Sequence, residues 1–210
     1  MEGLQKYPRT RHVPWSPGAT NDDKIMLDLS GFEGHYCVIT EKRDGENTSM
    51  YQDYYHARSL DSNNHPSRNY VKGIWGSIKH NIPDGYRVCG ENLYARHSIG
   101  YDELDSYFEC FSIWDDWNRC LSWASTCEWA ELIGVKMVPV LWHGMFDISI
   151  LKNFHTMLDL NKQEGFVIRR AEQFNFNEFD KCVAKWVRKE HVQTEDHWMF
   201  SEIVPNGLKG

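Results

Sequence analysis

The sequence has no apolar run approaching the roughly 20 residues that a membrane-crossing helix needs, and it shows no secretory leader pattern. A membrane protein is therefore not expected. The six cysteines, at 37, 89, 110, 120, 127 and 182, include no Cys-x-x-Cys pair and no Cys/His spacing suited to structural zinc. Four of them sit inside apolar runs, which suits free, buried thiols in a reducing cytoplasm. Positive charge is also short: 23 Lys and Arg against 30 Asp and Glu leave a net charge of −7. That balance does not advertise a nucleic-acid binder, although net charge says little about any single face. No internal repeat and no second domain is visible. What is present is an apolar fraction of 41% with nine Trp, enough core for one folded domain over residues 1–210.

Read in order, residues 1–35 are broken by Pro8, Pro14, Pro17 and Gly18 and are expected to be irregular. Arg9, Arg11 and His12 could meet a phosphate there or simply form a solvated arm. The apolar run Tyr36–Ile39 reads as a strand feeding Thr40-Glu41-Lys42-Arg43-Asp44-Gly45-Glu46-Asn47, with Gly45 permitting a sharp turn and Thr48–Tyr51 returning as the second strand of a hairpin. A lysine is thus set at a strand end beside an acid and a turn. An ordinary lysine is protonated at neutral pH, so a nucleophilic role requires burial or nearby cations to lower its pKa. A surface hairpin accounts for the same residues, because Asp-Gly is a common turn.

Residues 69–83 predict an amphipathic helix ended by Pro83, and Tyr86–Ala95 a strand carrying Gly90-Glu91. Asp102–Leu104 predicts a short helical turn, and Tyr107–Asp115 alternates as a strand containing Phe111. A helix over 122–133 starts at Ser125 with Glu128 as a capping box, or at Ser122, and ends at Gly134. Val135–Trp142 predicts a strand in which Pro139 marks an edge or a bulge. Asp147 can cap a further helix with Ile148, Leu151, Phe154 and Leu158 on one face. Glu164-Gly165 opens the β-branched run to Arg170, and Asp180–Arg188 predicts a strand with cations along it. The polar segment 191–199 is expected to be loose.

Lys42-x-Asp44-Gly45, Arg58, Gly90-Glu91, Phe111, Glu164-Gly165 and Lys185 resemble, in order, the motifs of the covalent nucleotidyltransferases, the ATP-dependent ligases and mRNA capping enzymes. Gly90-Glu91-Asn92-Leu93-Tyr94-Ala95-x-His97-Ser98-Ile99 and His191-Val192-Gln193-Thr194-x-x-His197-Trp198 add resemblance to the RNA ligase 2-like family of bacteria and phages. The resemblance spans residues 36–188 and implies an α+β fold, with antiparallel sheets flanked by helices enclosing a nucleotide pocket. It implies ATP as cofactor with Mg²⁺ or Mn²⁺, Lys42 carrying AMP as a phosphoamide, and sealing of RNA ends or nicked duplex RNA.

Residue by residue, the resemblance puts Glu41, Asp44, Gly45, Asn47 and Arg58 around the nucleotide. It gives Glu91 the ribose hydroxyls, for which an acceptor-only carboxylate is suited, and Phe111 the adenine face. Glu164 would hold the metal. Lys185, with Arg188 favoured over Lys181 as second cation, would grip the α-phosphate, an anion that Arg matches with a planar fork. This chain departs here from the usual Lys-x-Lys. No oligonucleotide-binding barrel or helical domain is expected after Arg188. A cytoplasmic monomer is expected, with accessory RNA-repair proteins as candidate partners. The competing readings are a DNA ligase, a GTP-dependent capping-type enzyme, and an inert nucleotide- or RNA-binding module.

Overall fold

In the computed structural model, which describes residues 3–60, 65–189 and 203–210, the strand that ends at Lys42 does not turn back on itself. The chain opens with β1 (Arg11–His12), β2 (Tyr36–Lys42), β3 (Glu46–Met50) and β4 (Tyr55–Ala57), then helix α1 (Asn69–Ile78). Strands β5 (Arg87–Asn92), β6 (Phe108–Trp114) and β7 (Arg119–Cys120) lead into α2 (Trp123–Ile133). Next come β8 (Lys136–Met137), β9 (Val140–Met145) and α3 (Ile148–Asn153). The order closes with β10 (Gly165–Arg170), β11 (Phe174–Asn175), α4 (Phe179–Cys182) and β12 (Val183–Val187).

These strands form two sheets, one ordered β1-β12-β10-β2-β9 and the other β11-β7-β6-β5-β3-β4, with β8 added beside β6. Pairing is antiparallel except for β1 with β12 and β8 with β6. The fold is α+β, as expected.

The sheets lie face to face, and alternation along each strand decides what goes where. On β2 and β10, Cys37, Ile39, Phe166 and Ile168 point outward and pack under Leu151 and Phe154 with Trp186. On the second sheet, Met50, Val88, Phe108 and Ile113 point outward against Val71 and Ile78 of α1 and Ala130 and Ile133 of α2. Between the sheets, Tyr7, Trp114, Phe174, Phe179 and Val183 fill one end. Burying each such side chain contributes about 1.5–3 kcal/mol. The remainder of the inter-sheet space holds the polar residues described below.

Several expectations change. Thr48–Tyr51 is not the return strand of a hairpin: β3 pairs β4 and β5, so Lys42–Glu46 carries the chain from one sheet to the other. Val135–Trp142 likewise divides at Pro139 into β8 in one sheet and β9 in the other. Gly45 is not in the left-handed region; a Cβ there would run into the Asn92 carbonyl oxygen, so close approach is what requires glycine.

The Arg11–His12 segment is a strand, not irregular chain, and it pairs with Ala184 and Lys185. Asp102–Leu104 is not helical; Leu104 bridges Leu208 instead. Asp180–Cys182 is helical, and the strand begins only at Val183. The cap of α2 is Ser122, whose hydroxyl accepts from the Ser125 amide, and Gly134 closes the helix at φ 93°. In α3, Leu151 is buried but Ile148 is exposed.

Residues 203–210 dock onto the 93–107 segment through buried Asn206, whereas His191–Thr194 and His197–Trp198 lie outside the described residues. Among the described residues no helix is long and apolar enough to cross a membrane.

Candidate active site

The crossing after β2 carries Lys42 out of one sheet at the point where the other begins, so its amine enters the inter-sheet space. There Lys42 Nζ donates to Glu164 Oε2. Glu164 is fully buried, and the lysine side chain is 21% exposed. Glu164 comes into reach because Gly165 is the register partner of Lys42. A Cβ at 165 would collide with the Trp186 carbonyl oxygen, so only glycine lets β10 approach β12 this closely.

Glu91 faces the pair from the second sheet, its Oε1 accepting from the Gly45 amide at 3.2 Å. Asn47 is its cross-strand partner, and Asn47 Oδ1 is buried with no hydrogen-bond partner among the described residues.

These contacts overturn one electrostatic expectation. Lys42 is not neutralised by cations. Burial does work against its charge, but Glu164, Glu91 and Asp44 outweigh burial and hold the ammonium above the ordinary lysine pKa. The counterpart is Glu91, which burial, with Glu164 and Asp44, pushes up to about 8 against the pull of Lys42.

Lys185 is the amine that is lowered. Burial and then Lys42 bring it down to about 8, Arg58 adds to the effect, and Asp23 and Glu164 oppose it. Arg58, half-buried just past β4, is thus within electrostatic reach of Lys185 across the gap.

Phe111 occupies a β-bulge: Cys89 pairs Ser112 while Gly90 pairs Cys110, leaving Phe111 as the extra residue. It is half-buried, edge-on to Tyr7 at 5.2 Å, and belongs to the same inter-sheet cluster as Val167, the register partner of Lys185. Arg188 follows β12 with its amide donating to the Glu164 carbonyl at 3.0 Å. Its Nε is buried without a partner among the described residues.

Two of the sequence-selected residues serve the frame instead. Asp44 Oδ2 accepts from Ser98 Oγ at 2.6 Å and from the Ile99 amide at 2.7 Å, pinning the loop after β5. Glu41 accepts from Arg43 at 2.6 Å and from Gln163 at 2.9 Å, and Arg43 continues to Glu109 at 2.7 Å. Arg11 pairs with Asp180, and His12 is fully buried, so neither is a free phosphate contact. Asp23, in the stretch expected to be irregular, stands beside Lys185 at 3.8 Å. No local signal marked it, because the contact depends on how the N-terminal segment lies along β12.

Lys42, Glu164, Glu91, Asn47, Lys185 and Arg58 therefore share one space between the sheets, with Phe111 at its apolar end and the Arg188 backbone at its edge. Two amines and the Arg58 guanidinium can take an oligophosphate. Glu164 and the orphaned Asn47 oxygen are hard donors that suit Mg²⁺ or Mn²⁺. No group of three or more His, Cys, Asp or Glu side chains converges among the described residues, so such an ion would rely on water and substrate oxygens as well.

Solved structures share the architecture. An archaeal ATP-dependent RNA ligase matches 88% of this chain and 48% of its own, at 13% identity and TM-score 0.59. Naegleria gruberi RNA ligase with pyrophosphate matches 80% of this chain and 54% of its own, at 19% identity and TM-score 0.55. A mutant of that ligase with ATP and Mn matches 90% of this chain and 57% of its own, at 16% identity and TM-score 0.57. Identities this low carry the fold alone, and the chain spans about half the length of these ligases. No curated protein matches the chain. The family model described as RNA ligase, however, matches residues 35–187, and on that match the chain belongs to the RNA ligase family.

Proposed function

We propose that this chain is the nucleotidyltransferase unit of an ATP-dependent RNA ligase. The observation that carries this reading is the position of Lys42: an amine at the sheet-to-sheet crossing, against a buried glutamate and within electrostatic range of Lys185. In the proposed reaction the neutral Lys42 amine attacks the α-phosphorus of ATP. An N–P bond forms, the bond to the β-phosphate oxygen breaks, and pyrophosphate leaves. The AMP then passes to an RNA 5′-phosphate, and a 3′-hydroxyl attacks that phosphate and releases AMP.

The first step requires in-line geometry and offset of negative charge, as phosphoryl transfers do. Lys185, Arg58 and Arg188 supply fixed cations for the phosphates. Glu91, at the β5 end, accepts from the ribose hydroxyls, and Phe111 offers its face to the base. Glu164 and Asn47 fit a divalent ion, which when bound supplies charge neutralisation at the phosphate. Lys42 has to lose its proton before it attacks, so the acids that hold it charged must be engaged by other groups in the loaded site. RNA repair and the use of accessory proteins for RNA grip belong to the same proposal.

The test is incubation with α-labelled ATP or GTP and Mg²⁺, followed by electrophoresis at neutral or basic pH, because phosphoamides are acid-labile. We expect one AMP per chain from ATP, mapped to Lys42 by intact and peptide mass. Lys42→Ala should take no label, and Glu164→Ala should label at least about tenfold more slowly. Label from GTP instead points to a capping-type enzyme, and no label from either to an inert module. Sealing of nicked DNA in preference to nicked RNA makes it a DNA ligase.

A further inference from the structure

The N-terminal segment contributes a residue to this site. His12 and Lys185 are register partners, and the Val13 amide donates to the Lys185 carbonyl at 2.8 Å. The segment then doubles back. The His12 amide donates to the Lys24 carbonyl and the Met26 amide to the His12 carbonyl, both at 2.8 Å. Asp23 sits at the end of this doubled segment, facing the Lys185 side chain.

Three features distinguish Asp23 from a chance surface neighbour. Its carboxylate is fixed independently of Lys185: Oδ2 accepts from the Thr20 amide at 3.0 Å and from the Thr20 hydroxyl at 2.9 Å. Its Oδ1 lies 3.5 Å from His12 Nε2. The His12 ring is itself immobilised, because its Nδ1 is 2.8 Å from Ser16 Oγ and that hydroxyl accepts from the Val187 amide at 2.9 Å.

Finally, Oδ1 stands 3.8 Å from Lys185 Nζ, close enough for attraction but too far for a hydrogen bond. Asp23 thereby supplies countercharge while leaving the lysine donors open to another acceptor. The Lys42–Glu164 pair is the opposite case, a direct contact that must be broken before the amine can act.

Lys185 has need of such a partner. It is half-buried within electrostatic range of Lys42 and Arg58, and Asp23 and Glu164 are acids that favour its charged form. Glu164 is already bonded to Lys42. Without Asp23, the Lys185 ammonium faces Lys42 and Arg58 with less countercharge.

We infer that Asp23 is a positioning residue for Lys185, holding that ammonium charged and aimed into the inter-sheet space with its donors free for a nucleotide phosphate. The inference rests on the proposed phosphate contact of Lys185.

Two measurements test it. The first is single-turnover labelling by ATP and Mg²⁺ in wild type, Asp23→Asn, Lys185→Ala and the double variant. Asp23→Asn keeps the size and hydrogen-bonding reach of the side chain and removes the charge. It should slow labelling at saturating ATP about tenfold, and the double variant should be no slower than Lys185→Ala within about twofold, because one acts through the other. Thr20→Val, which removes one bond fixing Asp23 at an exposed site, should give a smaller loss that also vanishes in the Lys185→Ala background.

The second measurement needs no catalysis. Trace acetylation with acetic anhydride at pH 7, without nucleotide, should modify Lys185 several-fold faster in Asp23→Asn, relative to exposed Lys72. An unchanged Lys185 reactivity, or an Asp23→Asn loss of equal size with and without Lys185, overturns the inference. If wild type takes no AMP at all, the functional reading fails, and the acetylation result alone still decides whether Asp23 controls Lys185.

Discussion

At the scale of the residue, the surroundings shift the two lysines of the site in opposite directions. Lys42, the nucleophile of the proposed reaction, is kept charged by the carboxylates around it. Lys185 is driven toward neutrality by burial and by Lys42. Glu91 takes part in the same balance. Burial raises it from 4.5 to about 8. Below 4.5 the group is protonated in both folded and unfolded chains and makes no contribution. Between 4.5 and about 8 the unfolded chain has released the proton while the folded chain still binds it, so stability falls as pH rises. Glu91→Gln removes this cost and retains an acceptor for the Gly45 amide. Thermal midpoints measured across that interval should show Glu91→Gln gaining on wild type as pH rises and converging with it in acid. Parallel curves would mean that Glu91 is ionised throughout. Above about pH 8, where Glu91 ionises, the same variant should bind ATP more weakly than wild type, since it lacks the carboxylate proposed for the ribose.

At the scale of the element, the site is built by strands that change sheets. Gly165 shows how tightly. An alanine Cβ there meets backbone, the Trp186 carbonyl, and no side chain can move aside to relieve it. Gly165→Ala should therefore cost about 3 kcal/mol in urea unfolding, at the upper end for overpacking. It should also slow lysine labelling per folded molecule, because Glu164 is displaced with the strand. A substitution that left both unchanged would mean β10 is free to shift.

Much of this layer was legible in the sequence: β2, β5, β6, β10, α1 and α2 follow from periodicity and turn residues, whereas the order of the site motifs comes from the family resemblance. The sheet crossings were not. Lys42–Glu46 has the local signature of a hairpin turn, and nothing within it says that the next strand pairs with β5. Pro139 signals a break without saying that it joins two sheets. The helical start of the last motif did leave a readable trace, since Asn175 and Glu178 form a reciprocal cap ahead of α4. The bulge that frees Phe111 depends on the register of β6 against β5, which alternation along β6 alone cannot supply.

At the scale of the whole molecule, the crossing strands tie two sheets into one frame, and remote segments finish the site. The N-terminal segment reaches Lys185 through Asp23. The 203–210 segment acts through a longer chain of contacts. Asn206 Oδ1 accepts from the Tyr101 amide at 2.9 Å, Asn206 Nδ2 donates to the Leu93 carbonyl at 2.8 Å, and the Tyr107 hydroxyl donates to the Asn206 carbonyl at 2.7 Å. The Tyr101 hydroxyl in turn accepts from the Asp44 amide at 2.9 Å, within the turn that carries Lys42. Asn206 is buried, so Asn206→Ala strands the Tyr101 amide and the Leu93 carbonyl. The cost should be about 2 kcal/mol of stability, the usual penalty for unsatisfied buried polar groups. If the contacts act as one frame, the variant should also label more slowly with ATP under conditions where it remains folded, with the loss in rate at saturating ATP and not in apparent affinity. Asp44→Asn, which weakens the same turn from its other side, should then add little to it. Full additivity of the two losses would show that the segment stabilises the fold without reaching Lys42.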